Sequence, residues 1–370
     1  MIQLSRFILT DLRRIFKNRL SVFTIIIVPL LVILLTTILF NSYSLFRARI
    51  GIVNNDTDPL SRFTVGIVMS LFRGGTISYA DPDYEKGLMK GEYNAIVVIP
   101  KDFSKDLYAA RQTVLSFIPS PVDLQISSVM YQLFRSMFED LQGSPFFDPQ
   151  VLRYLFASAG YPAPKLVMSQ KEEVLGFKSL LAPIAIFLSA AFVVLALSCN
   201  SVVSEKENGL IDIYLSSNLN RVSYTVSKVL SYTILGIFES MIACALFILL
   251  RVQLPVKLLI LLILLNSFFH ACIGILLSYL AGTTQTANLF SLSVVVISFF
   301  LSGMIVPISS MPRAVQILTK YFPLFLANYT LRKAQIYNLF GTNELVIIAG
   351  VSVIVFCLTI VAGTLYFKRR

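Results

Sequence analysis

The 370-residue chain holds a single histidine, His270, and it lies in a long apolar run. A glutamate, Glu239, lies in another such run. Counted along helices that cross a bilayer, each sits about 10 or 11 residues from one end of its run, ~15 Å deep at ~1.5 Å per residue. Ionisable groups at that depth are expensive, and they face protein or a watery path rather than lipid. Antiparallel neighbouring helices would bring Glu239 and His270 together, with Asn266 one helical turn from the histidine. Such a pair either lines a transport path and responds to protons, or is a buried structural pair, with Glu239 neutral in the limiting case. The residues alone favour the structural pair.

Other chemistry is thinly supplied. Neither H-E-x-x-H nor G-x-S-x-G occurs, so the zinc-hydrolase and nucleophile-elbow arrangements are missing. Cys199, Cys244, Cys272 and Cys357 all fall in apolar runs, which leaves no disulfide framework or metal site in the polar part. The phosphate-cradling G-x-x-x-x-G-K-[ST] loop is also absent. The chain is therefore not expected to be an enzyme or to carry a cofactor. If ATP drives it, ATP and Mg are held by another chain.

The third feature is polar: SEKENGLIDIYLSSNLNRVSYTVSK, residues 204–228, interrupts the apolar runs. Ser204 and Glu207 have the spacing of a capping box, and Asn208-Gly209 offers a turn. Leu210, Ile211, Ile213, Tyr214 and Leu215 then make a short apolar-rich helix, interrupted by Asp212; Tyr224 and Lys228 lead into the next run. A short helix with an apolar surface between two spans suits a groove on a partner. The plain alternative is a solvated loop.

The elements that must position these residues follow from composition. Hydrophobic residues make up 56% of the chain, charged residues 14%, and mean hydropathy is +0.76, whereas soluble domains carry about 25% charged residues. This is a polytopic α-helical membrane protein. Six windows are long enough to cross ~30 Å of hydrocarbon: 21–41, 179–200, 229–250, 258–280, 287–306 and 345–367. Residues 1–20 place Leu4, Ile8, Leu12, Ile15 and Phe16 on one face, with Arg6, Arg13, Arg14 and Lys17 largely on the other. That reads as an amphipathic helix in the membrane interface rather than a cleaved signal peptide. Residues 45–178 alternate strand-like runs (RIGIVNND, YNAIVVIP, TVLSFIP) with capped helices opened by DPLS, DPDYE and PKDF, then turn helical and irregular. They are expected to form an extracytoplasmic α/β domain. In 307–343, Pro307, Pro312 and Pro323 break the pattern into re-entrant pieces, and 179–370 forms a five-span domain.

Charge sets orientation. Residues 45–178 hold 14 Lys+Arg and 14 Asp+Glu, so the net +11 belongs to the membrane part. That argues for lipid headgroups and against nucleic acid. With the N-terminus inside, inner segments carry eleven cations and the short outer segments six, which places both termini in the cytoplasm.

The 204–228 stretch resembles the cytoplasmic connector of ABC-2 type transporter permeases, close to E-x-E-x-G-T-x-E-x-L-L-x-x-P-x-x-R followed by G-K. Glu205, Glu207, Gly209, Leu215, Arg221 and Lys228 stand at matching positions, and Asp212 stands for the second-half Glu. Leu210 replaces the usual Thr, Asn218 the Pro, and Ser227 the Gly before Lys228. DLRRIFKNRL before a span with Pro29, IGIVNND, GEYNAIVVIPKDFSKDL and SGMIVPISSMP extend the resemblance over nearly the whole chain, to the branch with a large outer domain between its first two spans.

The resemblance implies the permease subunit of an ABC exporter in a prokaryotic cell membrane. It implies a homodimer or heterodimer of permeases, an ABC ATPase subunit as partner, and contact with membrane lipids. Glu205, Glu207, Gly209, Leu210, Asp212, Leu215, Arg221 and Lys228 then form the coupling helix region, while Glu239, Asn266 and His270 mark a polar path. Few charges in the spans favour an amphipathic or lipid-like cargo such as a drug, antibiotic or lipid. The rival reading is a membrane-anchored receptor or scaffold whose outer domain binds an extracellular partner.

Overall fold

A computed structural model describes residues 2–368, apart from 42–47, 72–74, 81–82, 109–112, 141–164, 169–176, 217–219, 250–251, 253, 304–307, 309–310 and 338. Asn218, Pro307 and most of the irregular stretch after 141 thus lie outside the described residues.

The chain begins with α1 (Ile2–Lys17) and α2 (Arg19–Asn41). The helical parts Leu4–Lys17 and Arg19–Leu35 meet at a 79° bend. Asn18 sits at the break, its side-chain oxygen accepting from Leu20 N at 3.0 Å. Composition explains the corner: α1 is amphipathic and suited to an interface, whereas α2 is apolar all round and suited to a core or a bilayer.

The main bundle contains α7 (Phe177–Cys199), α8 (Ser201–Glu207), α9 (Leu210–Ser216), α10 (Arg221–Leu249), α11 (Val256–Leu280), α12 (Thr284–Leu301) and α15 (Thr342–Lys368). Among the described residues five helices are long and apolar enough to cross a membrane, or six if the bent α1–α2 pair counts as one. The most central is the α7–α8 rod: 83% of the apolar window in Ala182–Glu207 is buried, against 17% for α12 and for α15. Its small residues let neighbours approach, as in other membrane helices. At Gly236 on α10 a Cβ would lie 2.6 Å from both Ser267 Oγ on α11 and Val194 Cγ2 on α7. The three helices can cross there only because that atom is missing.

Between α2 and α7 lies an α/β unit. Its sheet runs in the order β2-β1-β3-β4-β5, parallel except between β3 and β4. The strands are β1 (Ala48–Asn54), β2 (Gly75–Tyr79), β3 (Ala95–Ile99), β4 (Val114–Pro119) and β5 (Lys165–Met168). The helices are α3 (Pro59–Leu71), α4 (Tyr84–Lys90), α5 (Phe103–Tyr108) and α6 (Leu124–Asp140). β3 is a continuous apolar run, as a strand buried on both faces must be, and β1 is largely so, interrupted by the exposed Arg49. The sequence pattern anticipates β1, β3, β4 and the four helices. It does not anticipate β2, a short run opened by glycine, or β5, four residues inside the stretch that reads as irregular.

Residues after α12 form α13 (Arg313–Lys320) and α14 (Pro323–Tyr337), two short helices joined at Phe322. At 15 residues, α14 is ~22 Å long, too short for ~30 Å of hydrocarbon. Phe322 packs edge-on against Phe269 and His270 of α11, with centroids 5.9 and 6.5 Å apart. The segment therefore reaches down along the bundle rather than across it. α14 also contributes Ile336 to the core of the α/β unit, and Ile308 N donates to Asp123 Oδ1 of that unit at 2.9 Å. This end of the molecule is the sheet end; the α8–α9 turn marks the opposite, connector end.

Gly236→Leu forces a side chain into the three-helix crossing and is expected to cost about 1–3 kcal/mol. A lowered midpoint of thermal unfolding in detergent reports it. Gly350→Ala, inside α15 and with nothing within 4 Å of the added Cβ, does not lower the midpoint.

Candidate functional site

The site is built at the connector end, where the apolar run of α7 passes into α8 with almost no break. Asn200 occupies the joint, and Val202 N and Val203 N both donate to Ser278 Oγ of α11, at 3.0 and 3.2 Å. Ser204 is therefore inside a helix, and the capping box read from Ser204 and Glu207 does not form. A helix that continues through has no free N-terminus there to cap. Glu207 caps a different helix: its carboxylate accepts from Thr284 N at 2.8 Å and from the Thr284 hydroxyl, at the start of α12. A negative charge there also meets the positive end of the helix dipole.

The turn expected at Asn208-Gly209 is present. Gly209 has φ +70°, a left-handed conformation that only glycine adopts without cost, and α9 follows at once. Asn220 starts the next helix, its side-chain oxygen accepting from Val222 N at 3.1 Å and Ser223 N at 3.3 Å. α10 thus begins at Arg221, and Lys228 lies two turns inside it.

Inside these helices is a buried ion cluster. Lys228 Nζ, with 2% of its side chain exposed, donates to Asp11 Oδ1 of α1 and to Glu205 Oε1 of α8, each at 2.7 Å. Arg14 of α1 donates to Glu205 Oε1 at 2.6 Å, and the Tyr224 hydroxyl donates to Glu205 Oε2. The ammonium also stands 5.3 Å from the Tyr224 ring centroid. Two cations balance two carboxylates. Desolvating the three buried ions, Lys228, Asp11 and Glu205, costs several kcal/mol each, and close, saturated pairing offsets it, while Arg14 stays half-exposed. Aromatic rings close the cluster from the sides: Tyr224 lies edge-on to Phe7 of α1 at 6.1 Å and to Phe367 of α15 at 5.3 Å.

Of the residues singled out in the sequence, Glu205 and Lys228 meet here. Gly209 makes the turn, Leu210 and Leu215 belong to α9, and Glu207, Asp212 and Arg221 are exposed around the cluster. The side chain of Leu215 lies outside the described residues. Asp11, Arg14 and Tyr224 complete the site and were not among the candidates. Asp11 carries a legible signal: it shares the helical stripe of Leu4, Ile8 and Ile15, where an apolar residue would be expected.

The intramembrane candidates do not pair. Among the described residues no hydrogen bond or ion pair joins Glu239 to His270. Glu239 lies beside the Ser189 hydroxyl, but neither its carboxylate oxygens nor His270 Nε2 makes a well-formed hydrogen bond among the described residues; His270 Nδ1 lies 2.8 Å from Asn266 O, and Asn266 Nδ2 donates to Phe187 O at 3.1 Å. The register explains the separation. Gly236 is level with Ser267, and Glu239 and His270 lie beyond them in opposite directions, ~9 Å apart along the bundle axis. Among the described residues no group of three or more His, Cys, Asp or Glu could hold a metal.

Lys228→Ala leaves two buried carboxylates facing a single guanidinium and is expected to cost about 3–5 kcal/mol. Asp11→Ala with Lys228→Ala should cost less than the sum of the single changes, by about 0.5–3 kcal/mol. Thermal unfolding of the parent and the three variants in detergent measures the difference, and strict additivity would refute the pairing.

Over 380 aligned residues, covering 97% of this chain and 94% of the relative, the chain is 24% identical to the probable multidrug ABC transporter permease YbhS of Escherichia coli strain K12. The same protein from Escherichia coli O157:H7 matches equally. Residues 19–366, from the start of α2 to the last turn of α15, match the family described as ABC-2 family transporter protein. The apolar α2, the α8–α9 connector and the broken helices of the sheet end thus all fall in one continuous match, and the chain belongs to the ABC-2 family of transporter permeases.

Proposed function

We propose that this permease is the membrane subunit of an ATP-driven exporter, and that it receives its drive from a separate ABC ATPase at the connector end. The observation that carries the reading is the two-sided character of α9. Ile211 is fully buried against the bundle while Ile213, 61% exposed, and Asp212 project from the opposite side. An exposed apolar and acidic knob beside a rigid ionic anchor is a suitable element for a partner groove. Coupling requires that the ATPase grip the knob differently in its nucleotide states, since equal affinity for both shifts nothing.

In this reading ATP and Mg sit on the partner, and the ion cluster joins α1, α8 and α10 so that they move with α9. The distribution of cations supports cytoplasmic termini in a prokaryotic plasma membrane, with the α/β unit outside. The largely uncovered faces of α12 and α15 leave room for a second permease copy, identical or not, and for lipid. The name of the Escherichia coli relatives supports a multidrug cargo, and the scarcity of charge in the spans supports an amphipathic or lipid-like one. Glu239, Asn266 and His270 supply isolated polar points within the bundle; transport undiminished by Glu239→Gln would remove Glu239 from the path.

Co-expression with an ABC ATPase, followed by purification and measurement of hydrolysis, tests the reading. Ile213→Asp should lower the permease-dependent hydrolysis at least about tenfold, as loss of an interface anchor does, while thermal stability is retained. If no ATPase accompanies the chain and its hydrolysis is indifferent to it, the scaffold reading takes over.

A further inference from the structure

Where the α/β unit meets α13 and α14, the structure contains a cavity of about 530 Å³. Three cations line it from three separate elements: Arg49 of β1, Lys90 at the end of α4 and Lys320 at the end of α13. All three residues are exposed, and none is in an ion pair among the described residues. Arg49 is steadied by donating to Gly91 O at 3.2 Å.

Two carboxylates also line the cavity, and they differ. Glu92 is exposed, whereas Asp123 is fully buried and already committed. Asp123 accepts from Ile308 N at 2.9 Å and from Asn94 Nδ2 at 3.2 Å, and the buried Arg332 of α14 lies within electrostatic reach. A positive excess therefore faces the void. Phe325 and Leu326 of α14, both buried, make an apolar part of the wall. Beside it, α13 and the following residue expose Ile317, Leu318 and Tyr321, at 60%, 57% and 57%. A helix of that kind rests its apolar side in the headgroup boundary of a bilayer.

A purely polar anion would leave the Phe325–Leu326 wall unused, and a neutral lipid would leave the three cations unused. We propose that this cavity binds an amphiphile with one anionic headgroup, its phosphate or carboxylate held by Arg49, Lys90 and Lys320 and its chain laid against Phe325 and Leu326. The ligand comes either from the adjoining leaflet or from the cargo. The proposal does not depend on coupling to an ATPase.

The chain contains no tryptophan, so Tyr329→Trp on the cavity wall provides a single fluorescent reporter. The full chain is reconstituted in phosphatidylcholine vesicles, with bromine-labelled phosphatidylglycerol or bromine-labelled phosphatidylcholine replacing part of the lipid. The anionic quencher should act at a lower fraction, by roughly fivefold for each cation engaged. Arg49→Gln, Lys90→Gln and Lys320→Gln together should make the two quenchers equivalent, while Lys105→Gln, outside the cavity, keeps the preference. Lys320→Gln alone should give an intermediate preference and keeps the test readable if the triple variant unfolds. Equal quenching in the parent, or a preference that survives removal of the cations, overturns the proposal. Hexyl phosphate, whose short chain keeps it largely in water, is then added and identifies the source. Relief of quenching assigns the site to a cargo arriving from solution, and its failure to compete assigns it to a leaflet lipid.

Discussion

An ammonium group shut away from water survives as a charge only if carboxylates stay within hydrogen-bond reach, and Lys228 meets that condition through two different helices. Asp11 approaches from α1 and Glu205 from α8, each at 2.7 Å. Because removing any one of these ions strands the others at a cost of several kcal/mol, the three helices cannot move apart independently. Arg14 and Tyr224 saturate Glu205, so the cluster has one geometry. The connector end is thereby one mechanical piece, although its parts lie more than two hundred residues apart in the chain.

That piece has two outward connections. Through α7, the most covered helix of the bundle, it continues along the axis toward the sheet end. Through Gly209 it passes to α9, on which Ile213 is exposed. Glu207 adds a third attachment by capping α12. α8, α1, α10 and α12 are thus joined to one another beside α9. At the sheet end the fastening is of another kind: α14 belongs at once to the bundle and to the core of the α/β unit. The cavity lies at that seam.

Much of this was legible in local pattern. Runs of apolar residues located the long helices, the amphipathic stripe located α1, Asn208-Gly209 located the turn before α9, and β-branched runs located β1, β3 and β4. What was hidden shares one property, dependence on partners remote in sequence. β5 is four residues long and exists because β4 offers it a parallel edge. The capping box at Ser204 and Glu207 fits the local rule and fails because α7 does not stop where the rule needs it to. Asp11 stood in plain view on an apolar stripe, yet only its neighbours in space explain it.

The sequence by itself determined the membrane class, the approximate places of the long apolar helices, the α/β character of the polar segment and the position of the connector, since these follow from composition and short-range periodicity. Tertiary structure alone decided which charges meet. Glu205 and Lys228 were joined by Asp11, while Glu239 and His270, equally plausible as a pair, were set ~9 Å apart by the level at which α10 crosses α11. Helix register and rotation are fixed by packing over the whole interface, as at Gly236 against Ser267, and no local spacing rule contains that information.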